Sequence, residues 1–178
     1  MADNVFGNPV VTPKGILYFG DFDTMNTAEK HPNNKYPSDR FDLTMGFTPE
    51  TDLSELKAEC DKVAKEAFKT TEGVDMPFAN GDEKSMSSMA GKIIVRAKST
   101  KRPGLVDETR TRITEDATQP GMNVRAQLAP MSYISGKTKG VTLLLKNVQA
   151  FTNEEFESLG GGQAPEAAFG GDDDDAPF

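Results

Sequence analysis

The sequence predicts a mainly β fold with one added α-helix and a disordered, acidic C-terminal tail. Several segments have the alternating or β-branched and aromatic composition of strands. Residues 52–69 instead repeat apolar side chains every three or four positions, as an amphipathic helix does. Residues 160–178 are mostly Gly, Ala, Pro and acid, so they cannot bury enough apolar surface to offset the entropy of folding.

The first half of the chain is predicted to hold two strand regions and the helix. Residues 10–22 are rich in β-branched and aromatic side chains, and residues 41–47 alternate between apolar and polar side chains. The polar segment 26–37 between them is predicted to be a loop. The helix is predicted to begin at an N-cap Asp52, with Glu55 three residues later in a capping-box pattern.

Three further strands are predicted in the second half. Residues 91–98 alternate so that their Lys and Arg side chains share one face, and residues 141–151 are strongly apolar. Residues 122–134 form a long strand whose Pro130 indicates an edge position or a bulge. The basic segment 136–140 is predicted to be the hairpin loop between the last two strands.

The single cysteine and the single histidine have structural explanations. Cys60 lies on the apolar stripe of the predicted helix, which indicates a small core residue. His31 lies in the polar loop with no acid partner in view, which indicates a surface residue. One cysteine excludes an intramolecular disulfide and favours a cytoplasmic protein, and no thiol- and imidazole-rich metal site is expected. The absence of a long apolar run or a signal-peptide pattern predicts no membrane association.

The net charge of −8 conceals a basic stretch. Residues 84–146 carry twelve Lys and Arg against four Asp and Glu, whereas residues 1–83 carry eight against sixteen. Residues 151–178 carry eight acids and no base. A basic stretch inside an acidic protein is a better guide to partners than the total charge, and it is compatible with a polyanionic ligand.

Ten cations of the second half are candidate contacts to a phosphate backbone. If their strands are neighbours, they form a positive groove, and an ordinary solvated face is the alternative. They are Lys92, Arg96, Lys98, Lys101, Arg102, Arg110, Arg112, Arg125, Lys137 and Lys139. Tyr133 and Tyr36 are candidate base-stacking residues, and Phe47 and Phe78 are weaker candidates; burial in the core is the alternative for each.

The tail combines an acidic run with an aromatic last residue. The acidic run resembles a nucleic-acid backbone electrostatically, so it could occupy a basic groove when DNA is absent. The terminal ring and carboxylate could enter an apolar pocket with a basic rim on another protein. Solubility alone would explain the acids but not the terminal aromatic residue. The predicted partner-binding residues are Asp172, Asp173, Asp174, Asp175, Pro177 and Phe178.

Several blocks of the sequence resemble a known family. The ending DDDDAPF is similar to the C-terminal tip of bacterial single-stranded DNA-binding proteins. The body, roughly residues 35–163, resembles phage-encoded single-stranded DNA-binding proteins with an OB-fold. The matching blocks are KYPSDRFDLTMGFTPETD, PFANGDEK, GKIIVRAKSTKRPGLVD and GMNVRAQ…SYISGKTKGVTLLLKNVQAF…ESLGGG. The segment APMSY has fewer aromatic residues than this family commonly has there, which leaves Tyr133 as its main stacking residue.

The resemblance implies an OB-like barrel of about five strands with the helix added, over residues 1–159, followed by the tail at 160–178. It implies sequence-independent binding of single-stranded DNA in phage replication, recombination or repair, in the host cytoplasm and without catalysis or a cofactor. Replication or recombination proteins are the expected partners of the tail, and a homo-oligomer or a cooperative array on DNA is compatible with the sequence. The alternatives are a structural phage protein with a solubilising tail, and a metal-dependent nuclease or annealing accessory.

Overall fold

The computed structural model describes residues 4–84, 87–157 and 159. The predicted tail, with Asp172 to Asp175, Pro177 and Phe178, lies outside these residues. Within them the helix is α1 (Ser54–Phe68), and short 3₁₀ turns occupy Gly81–Glu83, Ser87–Met89 and Glu115–Ala117. The strands are β1 (Val10–Val11), β2 (Gly15–Asp21), β3 (Phe41–Phe47), β4 (Val74–Asp75), β5 (Ala79–Asn80), β6 (Ile93–Ser99), β7 (Gly104–Val106), β8 (Asn123–Ser135) and β9 (Thr138–Ala150).

Five of the strands close into a ring. They pair in the order β8, β2, β3, β6 and β9, and β9 pairs again with β8. The pairings are antiparallel except for β6 with β9, where a single parallel pair joins Lys98 and Leu144. Strands β1, β4, β5 and β7 are short and lie beside this ring. The predicted mainly β, OB-like fold with an added helix is therefore confirmed.

The inside of the ring is filled by alternate side chains of its strands. Leu17, Leu43, Val95, Val124 and Leu143 belong to one core cluster and are each at most 1% exposed. Burying a side chain of this size stabilises the fold by about 1.5–3 kcal/mol relative to leaving it in water. The opposite faces of the same strands are thereby turned outward, which is what creates a binding face.

Helix α1 packs its apolar stripe on the core, as predicted, and the stripe includes Cys60. Burial, with the nearby charges of Asp61 and Glu59, raises the pKa of the Cys60 thiol to about 12, so this cysteine is an inert core residue near neutral pH. The described part of the chain has no helix with the length and apolar character needed to cross a membrane.

The start of α1 differs from the prediction. The N-cap is Leu53, which makes no side-chain cap, and the capping box at Asp52 and Glu55 is wrong. Leu53 is 4% exposed because it packs in the core, and this burial sets the first turn. The exposed Asp52 carboxylate instead accepts a hydrogen bond from the Ser54 amide at 3.0 Å.

The β8–β9 hairpin is tighter than predicted. Only Gly136 and Lys137 lie between the two strands, because Gly136 adopts a positive φ of 60° that a two-residue turn needs. Residues 138–140, predicted as loop, are therefore paired in β9. The Pro130 carbonyl accepts a hydrogen bond from the Gly7 amide at 2.8 Å, so the proline ring nitrogen faces the N-terminal segment and removes no bond to β9.

Candidate nucleic-acid interface

A groove of about 1500 Å³ crosses the outer face of β3 and β6. Its floor is formed by alternate residues of these strands, and its walls are the loop 22–40 and the β8–β9 hairpin. In chain order these strands are the second and third of the five in the ring. OB-folds bind oligonucleotides on that face, between the loop that joins the first and second strands and the loop that joins the fourth and fifth. The residues that line the groove include Phe19, Asp21, Asn26, His31, Asn34, Tyr36, Asp42, Lys84, Arg96, Lys98 and Tyr133.

The floor contains an ion pair between the buried Asp42 and the partly exposed Arg96. Arg96 Nε and Nη2 donate hydrogen bonds to Asp42 Oδ1 and Oδ2 at 3.1 and 2.6 Å. Burial of the Asp42 carboxyl opposes its ionisation, but hydrogen bonds and charge from Arg96, with smaller contributions from Ser38 and Asn26, outweigh burial and lower the pKa of Asp42. Asp42 is therefore a charged anchor beneath the groove at neutral pH.

A second buried carboxylate, Asp21, lies at the end of β2. Its Oδ1 lies 2.8 Å from Lys30 Nζ and 2.6 Å from His31 Nε2. The prediction that His31 lacks an acid partner is therefore wrong. The two residues are ten positions apart, and the fold of the loop brings them together. Lys30 also contacts Glu115 at 3.0 Å, which ties the loop to the 3₁₀ turn Glu115–Ala117.

The same loop is fastened to Asp42 through a chain of amides. Asn26 Nδ2 donates to Asp42 Oδ2 at 3.2 Å, and Asn34 Nδ2 donates to Asn26 Oδ1 at 3.3 Å. The Tyr36 amide donates to Asn34 Oδ1 at 3.0 Å. These bonds position the loop backbone while the Tyr36 side chain remains 85% exposed.

Three aromatic side chains on different elements line the groove. Tyr36 comes from the loop, Tyr133 from the hairpin and Phe19 from β2, where it is 50% exposed. The Tyr133 ring lies directly over Gly140, the residue opposite it on β9. Sequence reasoning missed Phe19, although two adjacent aromatic residues in one strand already indicate that one of them faces outward.

The two weaker aromatic candidates, Phe47 and Phe78, lie in different environments. Phe47 is 1% exposed and belongs to the core, so it offers no surface to a ligand. Phe78 is half-buried against the core and also lines the groove, with Lys57 Nζ 5.6 Å from the centre of its ring. Of the pair, Phe78 alone has a position from which it could contact a bound chain.

The ten predicted cations do not share one site. Arg96 and Lys98 line the groove, together with Lys84, which sequence reasoning did not select. Lys101 lies in the exposed turn after β6, and Lys137 lies in the exposed hairpin turn beside the Tyr133 wall. Within the described residues, Lys98, Lys101 and Lys137 take part in no ion pair, so their charges are not matched by a neighbouring carboxylate.

A second depression, of about 780 Å³, holds another part of the predicted set. Arg102 and Arg112 line it, together with Lys146, which sequence reasoning did not select. Arg102 Nη2 donates to Asp23 Oδ1 at 2.7 Å, which places this arginine at the foot of the 22–40 loop. Asp116 lines both depressions, so the two adjoin each other.

The other four predicted cations lie elsewhere. Lys139 Nζ is 5.8 Å from the centre of the Phe68 ring, at the end of the helix, and Lys92 precedes β6. Arg125 Nε donates to Gln149 Oε1 at 2.6 Å. Arg110, with a φ of 66°, belongs to a turn whose amides are bound by the Asp107 carboxylate. None of the four is among the residues that line the groove.

Two pairs of adjacent acids that could in principle bind a metal ion, Asp82 with Glu83 and Asp107 with Glu108, lie in turns, and the first acid of each pair has a structural role there. Asp82 Oδ1 accepts a hydrogen bond from the Gly91 amide at 2.7 Å. Asp107 Oδ1 accepts from the amides of Thr109 and Thr111 at 2.9 and 3.0 Å. Among residues 4–84, 87–157 and 159, no three His, Cys, Asp or Glu side chains are grouped so that they could hold a metal ion.

The closed ring and its outer-face groove define an OB-like protein. The model of the family described as the single-stranded DNA-binding protein of Enterobacter phage Enc34 matches residues 22–178. The chain belongs to this family, and the predicted resemblance to phage single-stranded DNA-binding proteins is confirmed. No curated protein has a significant sequence match to the chain.

Solved structures agree with this fold at low sequence identity. The single-stranded DNA-binding protein from bacteriophage Enc34 has a TM-score of 0.69 and 14% identity, with 89% of this chain and 87% of that chain covered. The same phage protein in complex with ssDNA has a TM-score of 0.68 at 14% identity, with coverage of 83% and 88%. The gp2.5 single-stranded DNA-binding protein of bacteriophage T7 has a TM-score of 0.60 at 14% identity, with coverage of 88% and 97%.

Proposed function

We propose that this chain binds single-stranded DNA without sequence preference, with bases in the groove and phosphates along its basic rim. The observation that carries the proposal is the convergence of Phe19, Tyr36 and Tyr133 on one groove from three elements. Membership of the Enc34 family supports single-stranded DNA as the ligand, since a relative of the same fold was solved in complex with ssDNA.

Stacking supplies affinity that does not depend on base identity. Each base stacked on an aromatic ring contributes about 1–3 kcal/mol, and every base has a face that can stack. A base-paired duplex keeps its bases stacked inside the helix, so the exposed rings of the groove favour the single strand. Tyr36, at 85% exposure, is available without any rearrangement of the core.

The phosphate contacts come from the cations on or beside the groove. We assign this role to Lys84, Lys98, Lys101 and Lys137, and to Arg102 and Arg112 for a strand that continues into the second depression. The predicted contacts by Lys92, Arg110, Arg125 and Lys139 have less support, because none of these residues lines the groove or lies in the turns after β6 and β8 that carry Lys101 and Lys137. Neutralising phosphates releases counterions, so binding should weaken as salt rises.

The biological role follows from the family. We infer that the chain acts in phage DNA replication, recombination or repair in the host cytoplasm, as a binding protein and not as an enzyme. The acidic run Asp172–Asp175 would compete with DNA for the basic rim, and Pro177 and Phe178 would recruit replication or recombination proteins. The family match extends to residue 178 and so includes this tail.

The decisive experiment compares ligands by fluorescence anisotropy. The full chain is titrated with a labelled single strand and with the matched duplex over a salt series. We expect the single strand to bind more tightly, with log K falling against log salt by about 0.7 for each phosphate contacted. Equal affinity for the duplex, or no binding of either ligand at low salt, would overturn the proposal. Incubation of the strand with Mg²⁺ and protein should leave it intact, whereas cleavage would revive the nuclease alternative.

A further inference from the structure

Arg96 is fixed in the groove floor by Asp42. The two hydrogen bonds, at 3.1 and 2.6 Å, use Nε and Nη2 along one edge of the guanidinium. Such bidentate pairing lies in the plane of the group, so it fixes that plane and leaves the two faces free. The Asp42 side chain is 5% exposed and that of Arg96, which lines the groove, is 47% exposed, so part of the Arg96 side chain is open to the groove.

The charge of Arg96 is matched within the protein. Hydrogen bonds and charge from Arg96 outweigh the burial of Asp42 and lower the carboxyl's pKa, so Asp42 is ionised at neutral pH. A phosphate that approaches this part of the floor meets a paired cation and anion and not a free positive charge. Lys98, two residues along on the same face of β6, has no ion-pair partner among the described residues and differs from Arg96 in this respect.

The surroundings of Arg96 suit a flat ligand. Its cross-strand partner on β3 is the small residue Thr44, and the floor next to it also includes Ile94, two residues before it, whose side chain is buried below the groove. Guanidinium planes stack on nucleobases, in the same way as aromatic rings do. Asp42 also fastens the loop that carries Tyr36, through Asn26, so one carboxylate positions two surfaces on which a base could lie.

We propose that Arg96 contacts a nucleobase through its guanidinium plane, held in place by Asp42, and does not neutralise a phosphate. The inference rests on the proposed binding of single-stranded DNA and changes the role first assigned to Arg96 from its charge. Asp42 is then a positioning residue, which acts on the ligand through Arg96 and through the loop.

The test uses a dT oligomer and an abasic phosphodiester oligomer of the same length. Arg96→Lys keeps the positive charge but loses the planar fork. We expect it to bind the dT oligomer about 5- to 150-fold more weakly, with an unchanged salt slope and an unchanged affinity for the abasic oligomer. The matched control is Lys98→Ala, which should weaken both ligands and reduce the slope by about 0.7.

A second pair of variants separates positioning from general damage to the fold. Asp42→Asn should reduce the preference for dT over the abasic oligomer, whereas mere loss of structure would weaken both ligands together. The double variant Arg96→Gln with Asp42→Asn leaves no unpaired buried charge, and it should again lose dT affinity at constant salt slope.

Two outcomes would overturn the inference while leaving the proposed function intact. One is wild-type binding of dT by Arg96→Lys. The other is an equal loss of both ligands by the double variant Arg96→Gln with Asp42→Asn, together with a slope reduced by about 0.7, as removal of a phosphate contact requires. If the unmodified protein fails to bind the dT oligomer at all, the proposed function itself is wrong.

Discussion

Asp21 and Asp42 are cross-strand partners on β2 and β3, and both carboxylates are almost completely buried. Like charges directly opposite each other destabilise a sheet, and buried charges need partners. Each carboxylate is matched from a different direction: Asp21 by Lys30 and His31 of the loop, and Asp42 by Arg96 of β6. This pair of acids therefore holds the 22–40 loop beside the groove.

The Asp42 pair should make stability depend on pH in acid. Because the pKa of Asp42 is lower in the folded protein, its stabilisation is present above the pKa of the unfolded chain, and it is lost as the pH falls towards the folded value. Asp42→Asn should lower the free energy of unfolding at pH 7 by about 1–3 kcal/mol. In this variant the free energy of unfolding should also decrease less steeply as the pH falls below about 5. Urea unfolding at several pH values measures both effects.

The matched control is Asp61→Asn, since Asp61 is exposed on α1 and forms no ion pair among the described residues. If the free energies of unfolding of the wild-type protein and of Asp42→Asn fall in parallel between pH 7 and pH 3, the Asp42 pair is not the cause of the pH dependence.

The exposed rings should carry base-dependent affinity. We expect Tyr36→Ala and Tyr133→Ala each to weaken binding to a dT oligomer by about 1–3 kcal/mol without changing the salt slope. Tyr36→Phe keeps the ring and should bind as the unmodified protein does. Phe6→Ala is the control, because Phe6 is 62% exposed but does not line the groove. A large effect of the Phe6 change would show that the binding face lies elsewhere.

Gly140 should control the orientation of Tyr133. A Cβ on Gly140 would overlap the far end of the Tyr133 ring, so Gly140→Ala must displace that ring. We expect affinity for the dT oligomer to fall about as much as in Tyr133→Ala, while the protein keeps its fold by circular dichroism. The control is Gly136→Asn, since a Cβ there meets no atom within 4 Å and Asn tolerates the positive φ of 60°. If Gly140→Ala binds normally, Tyr133 does not stack from its present position.

The basic side chains should divide into two groups. Lys137→Ala and Lys101→Ala should each reduce the salt slope by about 0.7, because each removes one phosphate contact. Lys139→Ala, which removes a charge of the same sign two residues from Lys137 but beside Phe68, should change the slope much less. Equal slopes for the Lys137 and Lys139 variants would mean that the strand follows a different path over the hairpin.

Removal of the acidic tail should tighten binding at low salt. A chain that ends at Gly170 lacks the terminal Phe178 and the four aspartates, and in our proposal these aspartates compete with DNA for the same cations. The difference between the two chains should disappear at high salt, where charge interactions are screened. A variant with Ser in place of the four aspartates keeps the length of the tail but removes their charges, so it shows whether the change in affinity depends on charge or on length. Identical affinities at all salt concentrations would indicate that the tail serves only solubility or partner binding.

Much of the fold was predictable because its signals are local. Alternation in residues 41–47 and 91–98 predicted β3 and β6, and the apolar stripe of residues 52–69 predicted α1 with Cys60 in the core. The element ends were less predictable. Leu53, not Asp52, begins the helix because burial of its side chain in the core prevails over the capping preference of an aspartate.

The candidate site was only partly predictable. Sequence reasoning selected Tyr36, Tyr133, Arg96 and Lys98, which line one groove. It could not separate Lys137 from Lys139, because in a tight hairpin the choice of face depends on where the turn begins, and Gly136 decides that. It also missed Phe19, whose exposure accompanies a register shift between residues 17 and 19.

By itself the sequence determined the five strands of the ring, the helix, the uneven distribution of charge and the acidic tail, since periodicity and composition are properties of neighbouring residues; the short strands β4, β5 and β7 were not predicted. Only the tertiary structure decided which cations share a groove and which carboxylates are buried beneath it. Asp42 and Arg96 are 54 residues apart in the chain, and closure of the ring places their side chains within hydrogen-bond distance. Such a contact depends on the pairing of strands and the burial of charge, which no local pattern encodes.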